Sequence, residues 1–284
     1  MTFRLALVAV AVVFTMVLSS CTVTHSVAPE SEISSQEVRQ LPAPSAEQGV
    51  VSAPVRIEYG EHRSQFGELY LPETSTEPLP VVVLIHGGFW QEQFRLSLMD
   101  DLARDLASQG YVAWNIEYRR VGGDGGWPAT GVDVAAAIDH LVAVADDHPI
   151  DLEQVVLVGH SAGGHLALWS LDRPDAAVTP VGAIGLGAIV DLAYFPESAS
   201  LLGGTVTEVG ERYEDARPVL DPDQVILVHG TEDPIVPSAS LAVAFEAGVP
   251  VVEIGGDDHF DLIDPASNAW QTTLGQIDGL FGSK

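Results

Sequence analysis

Residues Val155–Trp169 read VVLVGHSAGGHLALW, an apolar run that stops at a glycine-rich turn and then resumes. Val155–Val158 is apolar and β-branched without alternation, which is typical of a strand buried on both faces. The residues after Gly164 suit a packed helix, and the glycines before it allow a turn that side chains would block. The turn at Ser161 is either a simple strand-to-helix connection or an elbow that presents Ser161 as a nucleophile.

Outward from this turn, the chain alternates predicted strands with predicted helices. Apolar, β-branched runs predict strands at Val55–Tyr59, Phe66–Leu71, Val81–Ile85, Val112–Ile116, Val155–Val158, Val181–Leu186, Val225–Val228 and Val249–Ile254. Apolar residues at helical spacing predict helices at Phe94–Gln109, Gly131–Ala145, Ser238–Ala247 and Ala266–Leu280. We expect the first two strands to form an antiparallel pair. The alternation predicts an α/β fold, with a mostly parallel central sheet flanked by helices on both faces.

The composition limits the partners of the protein. The chain has 284 residues, of which 46% are hydrophobic and 18% charged, enough for one large domain. Asp and Glu number 40 against 12 Lys and Arg, so the formal net charge is −28. Such a surface repels nucleic-acid phosphates and anionic membranes, and we expect no nucleic-acid partner. The acidity either serves solubility in a salty or extracellular setting or favours neutral and cationic ligands.

The first 21 residues predict export. Arg4 precedes an apolar run, Leu5–Leu18, which is typical of a signal peptide and short for a membrane span. The run ends in LSSC and resembles a bacterial lipobox, which implies cleavage before Cys21 and lipid attachment to its sulfur. We therefore expect a lipid-anchored protein on the extracytoplasmic side of the cell membrane. A plain secreted protein and an uncleaved anchor are the alternatives.

The next segment, residues 22–52, is predicted to be a disordered tether. It is rich in Ser, Pro, Glu and Gln and poor in aromatic residues. Residues 53–284 then form the α/β domain. Cys21 is the only cysteine, which excludes an intramolecular disulfide.

A serine hydroxyl becomes a good nucleophile when a base accepts its proton and a carboxylate orients that base. The base candidate is His259, on a Gly- and Asp-rich loop after the last predicted strand. The acid candidate is Asp233, after another strand in VILVHGTEDPIVP. Taken alone, its Asp-Pro step is more typical of a plain turn than of a catalytic acid, and Glu232 is a neighbouring competitor. Further aspartates beside His259 either form turns or act electrostatically on its ring: Asp257, Asp258 and Asp261.

The segment His86–Trp90, HGGFW, directly follows a predicted strand and is the candidate oxyanion loop. Its glycines would let the backbone approach a substrate carbonyl, so that N–H groups of Gly88 or Phe89 could act with that of Ala162. His86 is interpreted as a residue that braces the loop. Phe89 and Trp90 either wall the substrate pocket or simply pack in the core.

These candidates occur in the chain order oxyanion loop, Ser161, Asp233, His259, each just after a strand. From about Val55 onward the chain resembles the α/β-hydrolase superfamily. HGGFW, NIEYRR, GGWPATGVDVAAAIDHL, GHSAGG and HGTEDPIVP are similar to its esterase/lipase-like group, which includes feruloyl/acetyl-xylan esterase-like and kynurenine formamidase-like enzymes. The resemblance implies ester hydrolysis through an acyl-enzyme without metal or organic cofactor. It also implies that Ser161 is the nucleophile, Asp233 the acid and His259 the base, with the oxyanion donors Gly88, Phe89 and Ala162.

The sequence departs from the family pattern in two places, one of which concerns the subgroup and the other the size of the substrate. The candidate oxyanion loop reads HGGF, where hormone-sensitive-lipase-like esterases have HGGG, which favours the group in which HGG is followed by an aromatic residue and Trp. The segment Asp191–Leu220, which we call the cap segment, is short and polar, and it predicts small or soluble esters unless it is only a surface excursion. One alternative is an amide hydrolase of formamidase or peptidase type. The other is a non-catalytic surface binding protein on a hydrolase scaffold.

Overall fold

The structure is a computed structural model that describes residues 53–73 and 77–282. Its strands belong to one eight-stranded sheet: β1 Val55–Glu58, β2 Phe66–Tyr70, β3 Leu79–Ile85, β4 Val112–Ile116, β5 Ile150–His160, β6 Gly182–Leu186, β7 Val225–Gly230 and β8 Val251–Ile254. The spatial order is β1-β2-β4-β3-β5-β6-β7-β8. β2 pairs antiparallel with both β1 and β4, and the remaining pairs are parallel. The predicted antiparallel pair and the mostly parallel sheet are both confirmed.

The described helices lie between and after these strands: α1 Asp100–Ser108, α2 Ala129–Asp139, α3 Leu141–Val144, α4 Ala162–Trp169, α5 Ser198–Leu202, α6 Gly210–Asp215, α7 Ala242–Glu246 and α8 Asn268–Gly282. α1 and α8 pack on one face of the sheet, and α2, α3 and α4 pack on the other. The sheet is therefore covered on both faces, as its apolar strands predict.

Strand β3 shows how the pattern of side chains builds this core. Val81, Val83 and Ile85 are buried in the cluster that includes α2 and α4. Val82 and Leu84 are buried in the opposite cluster, with α1 and α8. Successive side chains of a strand point to opposite faces, so a strand covered on both faces is apolar at every position.

All four predicted helices have different boundaries in the structure, and the one predicted at Ala266–Leu280 is observed at Asn268–Gly282. The helix predicted at Phe94–Gln109 begins as a 3₁₀ turn at Leu96–Met99 and becomes α-helical at Asp100. The N–H of Leu96 donates to the buried carboxylate of Glu117, 3.2 Å away, a contact that periodicity does not reveal. The segment Gly131–Ala145 divides into α2 and α3, and Ser238–Ala247 begins as a 3₁₀ turn before α7.

No helix in the described part of the chain has the length and apolarity that crossing a membrane requires. The predicted signal peptide, the lipidation site Cys21 and the predicted tether lie outside the described residues.

Candidate active site

The turn at Ser161 joins β5 to α4 with a backbone conformation that side chains rarely adopt. Its φ is 55° and its ψ −118°, a conformation that costs on the order of 1–3 kcal/mol for a non-glycine residue. The Ser161 N–H donates to the Leu186 carbonyl at 2.8 Å, and its carbonyl accepts from the N–H of Ile189 at 3.2 Å. These bonds hold the strained residue between the ends of β5 and β6, where its side chain is buried.

The glycines of the motif are explained by how closely α4 approaches the sheet. A Cβ on Gly163 would lie 2.1 Å from the Ile85 carbonyl oxygen, and one on Gly159 would lie 2.2 Å from the Gly163 oxygen. No side chain fits at either position without moving the backbone. The glycines therefore let α4 begin directly behind Ser161 and against the end of β3.

Asp233 and His259 meet through a short, buried hydrogen bond. His259 Nδ1 lies 2.6 Å from Asp233 Oδ2. The other carboxylate oxygen, Oδ1, accepts the N–H groups of Ile235 and Val236, both at 2.8 Å. Burial alone would raise the pKa of Asp233, but the hydrogen bonds from His259 and from these two N–H groups outweigh it and lower that pKa. Asp233 is therefore an anion that holds the His259 ring through Nδ1.

The remaining acidic residues of the two loops form turns. Asp258 Oδ1 accepts the N–H groups of Phe260 and Asp261, while Asp261 Oδ2 accepts the N–H of Asp258. The side chain of Glu232 is exposed and forms no hydrogen bond or ion pair with His259. Of the two neighbouring acids in HGTEDPIVP, the structure therefore brings Asp233 to the histidine. The described residues contain no group of three or more His, Cys, Asp and Glu side chains that could hold a metal ion.

His160 links the serine turn to the base. It precedes Ser161, and its ring centroid lies 4.5 Å from that of His259. Its Nε2–H donates to the His259 carbonyl at 3.0 Å. No hydrogen bond between the described atoms joins the Ser161 hydroxyl to His259 directly, so the proton transfer between them remains a proposal. Sequence reasoning assigned His160 no role, because a contact to a residue 99 positions away leaves no local signal.

The candidate oxyanion loop has three consecutive residues with positive φ. The angles are 110° at Gly88, 50° at Phe89 and 57° at Trp90. No acceptor in the described part of the chain binds the N–H groups of Gly88, Phe89 or Ala162. A loop held in this conformation with unpaired donors suits the binding of a developing negative charge.

Behind this loop lies a buried polar cluster that sequence reasoning missed. Glu117 accepts the N–H groups of Tyr118 and Leu96 at 3.0 and 3.2 Å and forms an ion pair with Arg120. His86 Nε2 lies 2.9 Å from the same carboxylate. Tyr118 stacks on the His86 ring and donates its hydroxyl to the His86 carbonyl at 2.7 Å. The brace predicted at His86 is present, and the charged residues of NIEYRR after β4 were the available signal for it.

The prediction that Trp90 lines the substrate pocket is wrong in this structure. Its indole is 0% exposed and packs edge-on against His165, with ring centroids 5.3 Å apart. It therefore offers no surface to a substrate, and the alternative of core packing describes it. Phe89 is half-buried and packs near Phe195, at 6.5 Å between centroids, so it stays a candidate wall.

The cap segment, which contains α5 and α6, is hydrogen-bonded to α4 and to the residues just before α2. The indole N–H groups of Trp127 and Trp169 donate to Asp215, at 2.6 Å to its carboxylate and 2.9 Å to its carbonyl. His165 Nε2 donates to the Ala216 carbonyl at 2.7 Å. These bonds hold the end of α6 above α4, the helix that Ser161 precedes.

Burial lowers the pKa of four histidines near the site: His86, His160, His165 and His229. Burial lowers the pKa of His86 and His160 to about 3 and that of His165 to about 4. Each ring is therefore neutral in the folded protein under mildly acidic conditions. In the unfolded chain the same rings bind a proton near pH 6.5.

We expect the free energy of unfolding to decrease as the pH falls from about 6.5 toward 4, because the unfolded state then binds more protons than the folded state, one at each histidine that burial keeps neutral. Each histidine contributes about 1.4 kcal/mol per pH unit to this slope. Urea denaturation at about pH 7, 6 and 5 measures it. His165→Gln, which keeps a donor for the Ala216 carbonyl, should reduce the histidine contribution by about one quarter to one third. An unchanged slope in that variant would contradict the assignment.

Two family models match parts of the chain. The model described as BD-FAE matches residues 68–171, and the Prolyl oligopeptidase family model matches residues 127–248. The first match contains the candidate oxyanion loop and Ser161, and the second contains Ser161 and Asp233.

The chain is also similar to curated hydrolases. It is 26% identical to Esterase LipC of Mycobacterium tuberculosis over 261 residues, which cover 78% of this chain and 64% of that protein. It is 27% identical to kynurenine formamidase of Salmo salar over 176 residues, which cover 60% of this chain and 57% of that protein. The chain thus spans about three fifths of the length of these relatives.

Solved structures show the fold. A truncated carbohydrate esterase from gut microbiota aligns with a TM-score of 0.69 at 18% identity, covering 84% of this chain and 99% of that one. Esterase B from Lactobacillus rhamnosis aligns with a TM-score of 0.68 at 20% identity, covering 83% and 87%. The described residues therefore have the α/β-hydrolase fold, as the sequence predicts.

Proposed function

We propose that this protein is a serine hydrolase that cleaves carboxyl esters of small or soluble substrates through an acyl-enzyme. The observation that carries the proposal is the buried 2.6 Å contact between His259 and Asp233, on loops at the same sheet edge as the strained Ser161. An ionised carboxylate on a buried imidazole is the arrangement that a base requires when it activates a serine. The similarity to Esterase LipC supports ester hydrolysis as the reaction.

In the proposed mechanism, Asp233 keeps the proton of His259 on Nδ1, which leaves Nε2 free to accept one. Nε2 takes the Ser161 hydroxyl proton while Oγ attacks the ester carbonyl carbon. The N–H groups of Phe89 and Ala162 donate to the oxyanion. His259 then protonates the leaving alcohol. A water molecule, deprotonated by the same His259, releases the acid and restores the serine.

The cap segment supports a small substrate. It contributes two short helices and no large apolar lid. A cavity of about 560 Å³ lies between it and α7, but none of Ser161, Asp233 and His259 lines this cavity, so the proposed substrate size rests on the cap segment alone.

A formamide substrate is the second candidate. The similarity to kynurenine formamidases favours it, and the same serine, histidine and oxyanion donors would cleave an amide. The match to the Prolyl oligopeptidase family model extends this alternative to peptides. A non-catalytic binding protein would keep the fold without using Ser161.

The test uses the purified 284-residue protein with p-nitrophenyl acetate, butyrate and octanoate, beside an arylformamide. We expect turnover that falls with acyl length, and covalent labelling of Ser161 by a fluorophosphonate, located by peptide mass spectrometry. Faster turnover of the formamide than of any ester would favour the formamidase. A folded protein that neither hydrolyses these substrates nor reacts with the phosphonate would contradict the proposal.

We also propose that the enzyme acts outside the cytoplasm, attached to the cell membrane through a lipid on Cys21. The support is the apolar leader and the LSSC sequence before the predicted tether.

A further inference from the structure

Phe260 directly follows the proposed base and is an exposed aromatic residue beside an otherwise buried site. Its side chain is 55% exposed, whereas His259 is 3% exposed. The Phe260 ring lies edge-on to the His259 ring, with centroids 5.5 Å apart and planes at 83°. An exposed aromatic ring that contacts the proposed base is a candidate for contact with a ligand.

Two other neighbours of the His259 ring, Asp233 and His160, are not available to a substrate. Asp233 occupies Nδ1, and the His160 ring lies 4.5 Å away with its Nε2 on the His259 carbonyl. Both of those side chains are buried. Among the described residues that form a ring contact or a hydrogen bond with the His259 side chain, Phe260 alone is exposed.

The chemistry of the proposed reaction then places the leaving group near this surface. The leaving oxygen must approach His259 Nε2 to about 3 Å to receive its proton. The group attached to that oxygen must leave the ring on a side that Asp233 and His160 do not fill. The exposed Phe260 ring, 5.5 Å from the imidazole centroid, is within reach of it.

The backbone under Phe260 is held in place before any ligand binds. The Phe260 N–H donates to Asp258 Oδ1 at 2.7 Å, and the Phe260 carbonyl accepts the N–H of Ile263 at 3.1 Å. A surface that is ordered in advance loses less entropy when a ligand stacks on it. The aspartates that form this turn also make the surroundings of the ring unfavourable for anions.

We propose that Phe260 forms a leaving-group subsite that selects esters of uncharged aromatic alcohols. This inference rests on the proposed ester hydrolysis. An aromatic alcohol can stack on the open face or edge of the Phe260 ring while its oxygen stays at His259. Phe260 therefore determines specificity through the alcohol, independently of the acyl group.

The test compares benzyl acetate with methyl acetate, which share the acyl group and whose alcohols have similar acidity. In the wild-type protein we expect a higher kcat/KM for benzyl acetate. Phe260→Ala should lower kcat/KM for benzyl acetate about tenfold, the scale of one lost aromatic contact, and change that for methyl acetate less than about twofold. Phe260→Tyr should keep the preference, and Phe260→Leu, which keeps apolar bulk without the ring, should lose most of it.

Phe245→Ala is the matched control. Phe245 is 52% exposed on α7 and its ring does not contact the His259 ring. This variant should therefore behave as wild type on both esters. Equal losses on both esters in Phe260→Ala would assign Phe260 to positioning His259 and overturn the subsite. No loss on either ester would also overturn it. A wild-type protein inactive on both esters would instead reject the proposed function, and the subsite with it.

Discussion

Replacing Ser161 with alanine is expected to lower kcat for ester hydrolysis by about 10⁵-fold or more, the scale seen when a serine hydrolase loses its nucleophile. The oxyanion donors and substrate contacts remain, so a small residual rate above that in water should persist. Turnover of p-nitrophenyl acetate and labelling by a fluorophosphonate measure the loss. Labelling should disappear completely, because no oxygen remains at the turn to attack phosphorus.

Ser198→Ala provides the matched control. Ser198 is also a fully buried serine, and its hydroxyl has no hydrogen-bond partner among the described residues. Deleting it removes the same atom from the same kind of environment but outside the proposed catalytic group. We expect its kcat to stay within about twofold of wild type, as for substitutions that touch no catalytic group. Comparable activity in both variants would reject Ser161 as the nucleophile.

The same position predicts an effect on stability. With φ at 55° and ψ at −118°, Ser161 and an alanine in its place carry the same backbone strain. Glycine adopts positive φ without a Cβ penalty. Ser161→Gly should therefore be more stable than Ser161→Ala by on the order of 1 kcal/mol in thermal or urea unfolding. A less stable glycine variant would show that the turn is not strained.

The strand pattern and the order of the candidate residues could be predicted from the sequence because both depend on short segments. Apolar runs such as Val155–Val158 specify strands that are covered on both faces. The carboxyl ends of parallel strands meet at one edge of a sheet, which is why residues as distant as Asp233 and His259 come together.

The identity of individual contacts could not be predicted in the same way. Asp233 and Glu232 are neighbours of similar chemistry, and only the geometry of the loop directs one of them to His259. Trp90 follows the oxyanion glycines, yet its indole packs against His165 on a helix far along the chain. Local sequence contains no information about which partner a side chain finds across the core.

The first turns of the helices likewise could not be predicted from local sequence. The periodicity from Phe94 onward is helical, but the N–H of Leu96 donates to Glu117 and the first turn becomes 3₁₀. The carboxylate that changes this turn belongs to the cluster behind the candidate oxyanion loop. A tertiary contact thus overrides the local preference close to the site, where such departures are expected.

Asp233→Asn should lower kcat by about 10³ to 10⁴-fold and leave the fold intact. The N–H groups of Ile235 and Val236 donate to Asp233 Oδ1 at 2.8 Å, and in the variant they require an oxygen at that position. The amide NH₂ is then directed at His259 Nδ1. It can donate only to an unprotonated Nδ1, which moves the imidazole proton to Nε2, the atom that must accept the serine proton.

The size of the decrease in kcat distinguishes Asp233 from its neighbour Glu232 as the orienting acid. Glu232→Gln makes the same change from carboxylate to amide on an exposed side chain that forms no hydrogen bond or ion pair with His259. Its kcat should remain within about twofold of wild type. Steady-state kinetics on p-nitrophenyl acetate, with circular dichroism to check folding, distinguish the two. A larger loss in Glu232→Gln would move the orienting acid to Glu232, whereas equal, small effects would mean that His259 needs no carboxylate partner. The two N–H bonds to Oδ1 make the strong effect at Asp233 the expected result, because they fix which end of the amide faces the base.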